Sequence, residues 1–98
     1  MPFRLRFSLE AKTVLLSLQD NATFETKLKR VRVCLKRLEQ DPRQASLHAH
    51  KYRSLSGPNG EEVWEVYVEN NTPSAWRVWY WYGPDRHDIS ILAIGPHL

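Results

Sequence analysis

The sequence has little of what staples, tethers or exports a small chain. Cys34 is the one cysteine among 98 residues, which excludes an internal disulfide framework and fits a reducing compartment. No apolar run is long enough to span a bilayer, and the N-terminus lacks the basic, apolar, small-residue order of a signal peptide. The expectation is a cytoplasmic protein with no membrane partner. No phosphate-cradling glycine loop, nucleotide fingerprint or hydrolase elbow occurs, and no repeat or low-complexity tract. With 42% hydrophobic residues, the chain is long enough for one core and too short for two, so residues 1–98 are expected to form one domain. Acidic charge is scarce in one part of the chain only. Residues 1–60 carry twelve Lys or Arg against five Asp or Glu (+7), and the remainder carries two against six (−4). The basic part suggests an anionic partner, whereas the acidic end argues against a uniformly positive surface.

What is abundant is aromatic, and it is concentrated. Ala75 to Gly83, AWRVWYWYG, holds three of the four tryptophans and two of the four tyrosines, with one cation, Arg77. Aromatic and β-branched residues without internal Gly or Pro read as a strand. Alternation then sends Trp76, Val78, Tyr80 and Tyr82 one way and Arg77, Trp79 and Trp81 the other. An unpaired guanidinium in an apolar layer would cost several kcal/mol, so the first set is assigned to the core. Arg77, Trp79 and Trp81 are assigned to an open face suited to stacking bases and neutralising phosphate, or to docking a partner. The plainer alternative puts Trp79 and Trp81 under a terminal segment.

Around this strand the pattern is legible in order. Phe3 to Phe7, FRLRF, alternates as a half-buried strand. Ser8 caps a short helix with a stripe of Val14, Leu15 and Leu18. Thr23 is the expected cap of a longer helix whose Phe24, Leu28, Val31, Leu35 and Leu38 share one stripe. Its other side carries Lys27, Lys29, Arg30, Arg32, Lys36 and Arg37, and Asp41-Pro42 stops it. Leu47 to Leu55 reads as a strand or an extended lead-in. Three strands follow, at Glu62 to Glu69, at the aromatic stretch and at Ile89 to Ile94, joined by short turns as an antiparallel meander. The fold class is α+β: an N-terminal strand and a two-helix hairpin on one face of a mainly antiparallel sheet.

Two constellations could carry chemistry. His48 and His50, if both lie on a strand, share a face and could chelate zinc with help from His87, His97 or Cys34. The plainer reading is satisfied or solvated histidines, and no metal or other cofactor is assigned. The second is an acid and base set of Arg77, His97, His48 and His50, with Lys51 and Arg53 on the same segment as the last two histidines. RNA cleavage by its own 2′-hydroxyl needs one group to take that proton, one to protonate the leaving 5′-oxygen, and cations for the phosphorane charge.

Four runs together resemble the RelE/ParE superfamily, the small toxins of bacterial toxin and antitoxin pairs. They are Leu35, Leu38, Asp41 and Pro42 as L-x-x-L-x-x-D-P; His50 to Gly57 as H-K-Y-x-S-L-x-G; Trp76-Arg77-Val78 as aromatic-Arg-apolar; and Ile89 to His97 as I-x-I-L-A-I-x-P-H. Their order and spacing cover nearly the whole chain. The resemblance implies a two-helix hairpin on a twisted antiparallel sheet and a role as toxin. The activity implied is ribosome-dependent mRNA cleavage without a metal, or in another branch inhibition of DNA gyrase. In the nuclease branch an arginine on this strand meets the scissile phosphate and a C-terminal histidine or tyrosine moves a proton; Arg77 and His97 stand at the matching positions, with His50 as a further catalytic candidate. Lys51, Arg53, Trp79 and Trp81 are candidate substrate contacts. The resemblance also implies a cognate antitoxin with an acidic segment, for which Lys29, Arg30, Arg32, Lys36 and Arg37 are the candidate docking residues. The sequence departs from the pattern where a cation-rich strand is usual: it reads Trp64-Glu65-Val66-Tyr67, and a carboxylate at 65 is expected to repel a phosphate. A non-nuclease binding module is therefore the alternative.

Overall fold

A computed structural model describes residues 2–70 and 72–96. Strand β1 (Arg4–Phe7) leads into helix α1 (Leu9–Gln19) and helix α2 (Glu25–Gln40), followed by β2 (His50–Ser56), β3 (Glu62–Tyr67), β4 (Trp76–Tyr82) and β5 (Asp88–Pro96). The strands form one sheet in the order β1-β5-β4-β3-β2. Only β1 and β5 run parallel; the other neighbours are antiparallel. The sequence-predicted α+β arrangement is what the chain adopts, and the ambiguous stretch before the meander is the edge strand β2.

Local signals explain the helix ends. Ser8 Oγ accepts the Ala11 N–H and donates to the Leu92 carbonyl, so one hydroxyl caps α1 and ties it to β5. The cap expected at Thr23 is not made. Asn21 Oδ1 takes the Thr23 N–H instead, starting a single 3-10 turn over Ala22–Phe24, and α2 begins only at Glu25. Phe24 is consequently 41% exposed and leaves the apolar stripe that the spacing assigned to it. Leu28, Val31, Cys34, Leu35 and Leu38 are buried. Asp41 is extended (φ −161°), as a residue before proline must be, and Gln44 Nε2 covers the last open carbonyls by donating to Arg37 and Asp41. No helix among the described residues is long and apolar enough to cross a membrane.

The core between helices and sheet contains Val66, Val78, Tyr80, Ile89, Ile91 and Ile94. Two residues placed there by alternation are less buried: Trp76 packs only against its margin, and Tyr82 is 38% exposed. The opposite sheet face is not open at its centre. Val63, Trp79, Trp81 and Ala93 form a second buried cluster, closed by Tyr52, Leu55 and Leu92. Trp79 is 0% and Trp81 8% exposed, so the expected open aromatic face is corrected. Strand β5 serves both clusters through a bulge: Trp79 pairs with Ala93 but Tyr80 pairs with Ile91, leaving Leu92 as an extra residue. Ile89, Ile91 and Ile94 thereby all reach the helices, although a regular strand would turn Ile94 away.

Candidate active site

The sheet register assembles the site in two adjacent rows. His50, Glu65 and Trp79 are cross-strand partners on β2, β3 and β4; Tyr67, Arg77 and Gly95 are partners on β3, β4 and β5. Residues two apart on a strand share a face, so both rows lie on the side away from the helices.

Glu65 is the hub. Its side chain is 2% exposed, and a carboxylate so placed is tolerable only when donors surround it. Three do. His50 Nε2 lies 2.7 Å from Oε1, Arg77 Nη1 donates to the same oxygen at 3.3 Å, and Trp79 Nε1 donates to Oε2 at 2.8 Å. The other ring nitrogen of His50 faces the His48 carbonyl at 2.9 Å. Both ring nitrogens thus face oxygens, which orients the ring. The Arg77 guanidinium lies over the Tyr67 ring, 4.8 Å from its centroid, and His50 packs on the same ring at 5.4 Å.

Arg77 was expected to stand on a surface without a counter-charge. It is instead ion-paired with Glu65 and its side chain is 22% exposed. The pairing leaves donors over: Arg77 Nε is buried with no hydrogen-bond partner. Gly95, beside it on β5, borders open space, since a Cβ there would meet nothing within 4 Å. The cluster can therefore present a partly neutralised cation to an anion next to an oriented imidazole.

The other candidates fall elsewhere. Trp79 and Trp81, expected to stack on substrate, are buried; the Trp79 N–H is spent on Glu65. Lys51 lies against the other side of β3, 5.8 Å from the Trp64 ring and paired with Glu62 at 3.1 Å, away from Arg77. Arg53 is exposed on the edge strand. His97 lies outside the described residues. His48 and His50 do not share a strand face, because His48 ends a 3-10 turn in the left-handed region (φ 50°) before β2 starts. Among the described residues no group of three or more His, Cys, Asp or Glu is placed to hold a metal ion. Lys29, Arg30, Arg32, Lys36 and Arg37 are all exposed on α2. Arg30 pairs with Glu69 at 3.0 Å.

Sequence reasoning treated Glu65 as a repulsive neighbour of phosphate and missed that it would be buried. The signal was available: a short hairpin between two alternating strands puts Glu65 and Arg77 on one face, in adjacent rows. Glu69 is a second such carboxylate. Burial raises its pKa, but the hydrogen bonds from Lys27, the Trp76 backbone N–H and Arg30 outweigh burial and hold it below its ordinary value.

The two-helix layer on a five-stranded mixed sheet is a fold that this chain shares with solved RelE and YoeB structures. No family model matches the chain and no curated protein matches its sequence. Solved structures do. The chain is similar to the archaeal RelE–RelB complex from Pyrococcus horikoshii (TM-score 0.65, 18% identity, 98% of this chain and 96% of that one). It is similar to the YoeB/ParE toxin from Agrobacterium tumefaciens (0.69, 10%, 97% and 99%). The YoeB–YefM complex from Staphylococcus aureus also matches (0.66, 16%, 100% of both). At these identities the likeness is one of fold.

Proposed function

We propose that this chain is the toxin of a toxin–antitoxin pair and that it cleaves mRNA on the ribosome, without a metal, at the His50–Glu65–Arg77 cluster. The observation that carries this reading is the part-exposed Arg77 guanidinium next to an imidazole that shares Glu65 with it. A phosphate oxygen binds the exposed side of that guanidinium. The 2′-hydroxyl then attacks phosphorus, a base takes its proton, the bond to the 5′-oxygen breaks, and an acid protonates that oxygen. His50 and His97 are the two imidazoles for these transfers. Arg77 binds the charge that develops on the phosphoryl oxygens.

The partner in this reading is an antitoxin with an acidic segment. The α2 cations Lys29, Arg30, Arg32, Lys36 and Arg37 are its docking residues, and a groove of about 480 Å³ lined by Lys29, Arg30, Val33 and Arg37 runs beside them. Two of the matched structures are complexes, RelE–RelB and YoeB–YefM.

Expression without the antitoxin is expected to arrest growth with loss of full-length mRNA, and Arg77→Ala to abolish both. Unchanged toxicity in that variant rejects the assignment. The second reading is a gyrase-directed or catalytically silent toxin, favoured by the ion pair that already engages Arg77. Inhibition of gyrase supercoiling with intact mRNA supports it over the first.

A further inference from the structure

The helix side of the sheet continues past the end of α2, where Tyr82 is left part-exposed. Two adjoining cavities of about 460 and 450 Å³ open there and share Pro42, Arg43 and Tyr82. Their floor is aromatic. The 38% exposed Tyr82 ring is braced edge-on by Trp64, with centroids 6.3 Å apart at 78°, and by Phe3 at 6.0 Å. Arg43 and Arg86 stand at the rim, both exposed and neither in an ion pair among the described residues. His48 lines the far end. Asp41 is the one carboxylate on the lining, and its Oδ1 already accepts the Arg43 backbone N–H at 3.0 Å.

We propose that this groove binds a single-stranded segment of RNA outside the His50–Glu65–Arg77 cluster, with a base stacked on Tyr82 and flanking phosphates on Arg43 and Arg86. The proposal rests on reading the chain as one that acts on RNA. A stackable ring between unpaired cations is the equipment a polynucleotide needs; an acidic peptide would use the cations and leave the ring idle. Position supports the same occupant. The groove's His48 carbonyl faces the His50 ring, so this end lies around the start of β2 from the active cluster. Tyr82 is five residues from Arg77 along β4, about 17 Å at the usual rise per residue and on the opposite face. A strand of a few nucleotides passing the edge of β2 joins the two.

The test is fluorescence anisotropy of a labelled 12-nucleotide RNA with Arg77→Ala protein, which holds the RNA uncut. Arg43→Glu with Arg86→Glu is expected to weaken binding at least tenfold and to lower the salt slope by about two. Tyr82→Ser is expected to weaken it about five- to fiftyfold. Tyr82→Phe keeps the ring and should bind within twofold of the parent, which separates stacking from any folding defect in Tyr82→Ser. The proposal is overturned if the RNA does not bind at low salt, or if the double charge reversal leaves affinity and slope unchanged. It is also overturned if a duplex of equal length binds as tightly, or if a glutamate-rich peptide of equal charge competes equally, which would make the groove a protein-docking site. Arg43 and Arg86 touch neither His50 nor Arg77, so the toxicity of the double reversal in otherwise native protein reports on the nuclease reading separately.

Discussion

Glu65 and Trp79 face each other across β3 and β4, and the indole N–H donates to the buried carboxylate at 2.8 Å. The indole that would otherwise be a stacking platform is thereby committed to holding a charge inside the sheet. Trp79→Phe removes that donor and part of the ring volume, and is expected to cost about 2–3 kcal/mol; Trp79→Ala empties a fully buried site and should cost about 3–5 kcal/mol. Urea midpoints measure both. A Trp79→Phe protein as stable as the parent would mean the carboxylate does not depend on the indole.

The carboxylate itself is the harsher test. Glu65→Ala leaves Arg77 less than a quarter exposed with no counter-charge, which should lower stability by about 3 kcal/mol. Glu65→Gln retains one acceptor oxygen and should cost less than half of that. Equal losses for the two variants, read by chemical denaturation, would show that the negative charge, rather than packing or a single acceptor oxygen, sets the value of the side chain.

Acid should loosen the β1–β5 end of the sheet. The Arg4 hydrogen bond, against the opposing effect of burial and with help from the Asp85 N–H and from the charge of Arg4 and Arg6, holds the Asp88 carboxyl below its ordinary value. An unfolded Asp titrates near about 3.9. The stabilisation is thus complete above that pH and drains away as pH falls through the lower, folded value. Asp88→Asn should be less stable than the parent at pH 7 and should lose less of its stability between pH 5 and 2. Parallel pH profiles for the two proteins would contradict this.

Cys34 should be inert until the chain unfolds. Burial pushes its thiol up to about 12, with Arg37 pulling weakly the other way. At pH 8 the thiolate fraction is then roughly a thousandfold below that of a free thiol near pKa 8.5. Labelling by a thiol reagent is expected to be slower in the native state by at least that factor and to become fast in denaturant. Rapid native labelling would place the thiol outside the core.

What the sequence made legible was periodicity. The stripe Leu28, Val31, Leu35 and Leu38, the alternation of Trp64, Val66 and Val68, and the stop at Asp41-Pro42 all act locally, so each is readable from neighbours. The Ser8 cap was legible for the same reason. The failures were cases in which a competing neighbour or a distant residue altered a local preference. Thr23 lost the cap because Asn21 formed a tighter turn before it. Trp79 and Trp81 were assigned outward because Arg77 shares their face, on the premise that the cation had no partner. A carboxylate twelve residues back supplied one, and the face could then be buried. Arg77 and His50 meet at Glu65, while Lys51, next to His50 in sequence, pairs with Glu62 on the other side; on a strand, adjacency means opposite sides.

The extra residue at Leu92 has a further consequence. It acts as a phase setter: Ala93, Ile94 and Gly95 each project to the side opposite the one an unbroken ladder through Leu92 would give them. Pairing Leu92 regularly with Trp79 would carry Ile94 out from beneath the helices and turn Gly95 inward, exchanging a methyl-rich contact for a hole and closing the space beside Arg77. One unpaired residue thus decides which side of the sheet the end of β5 serves.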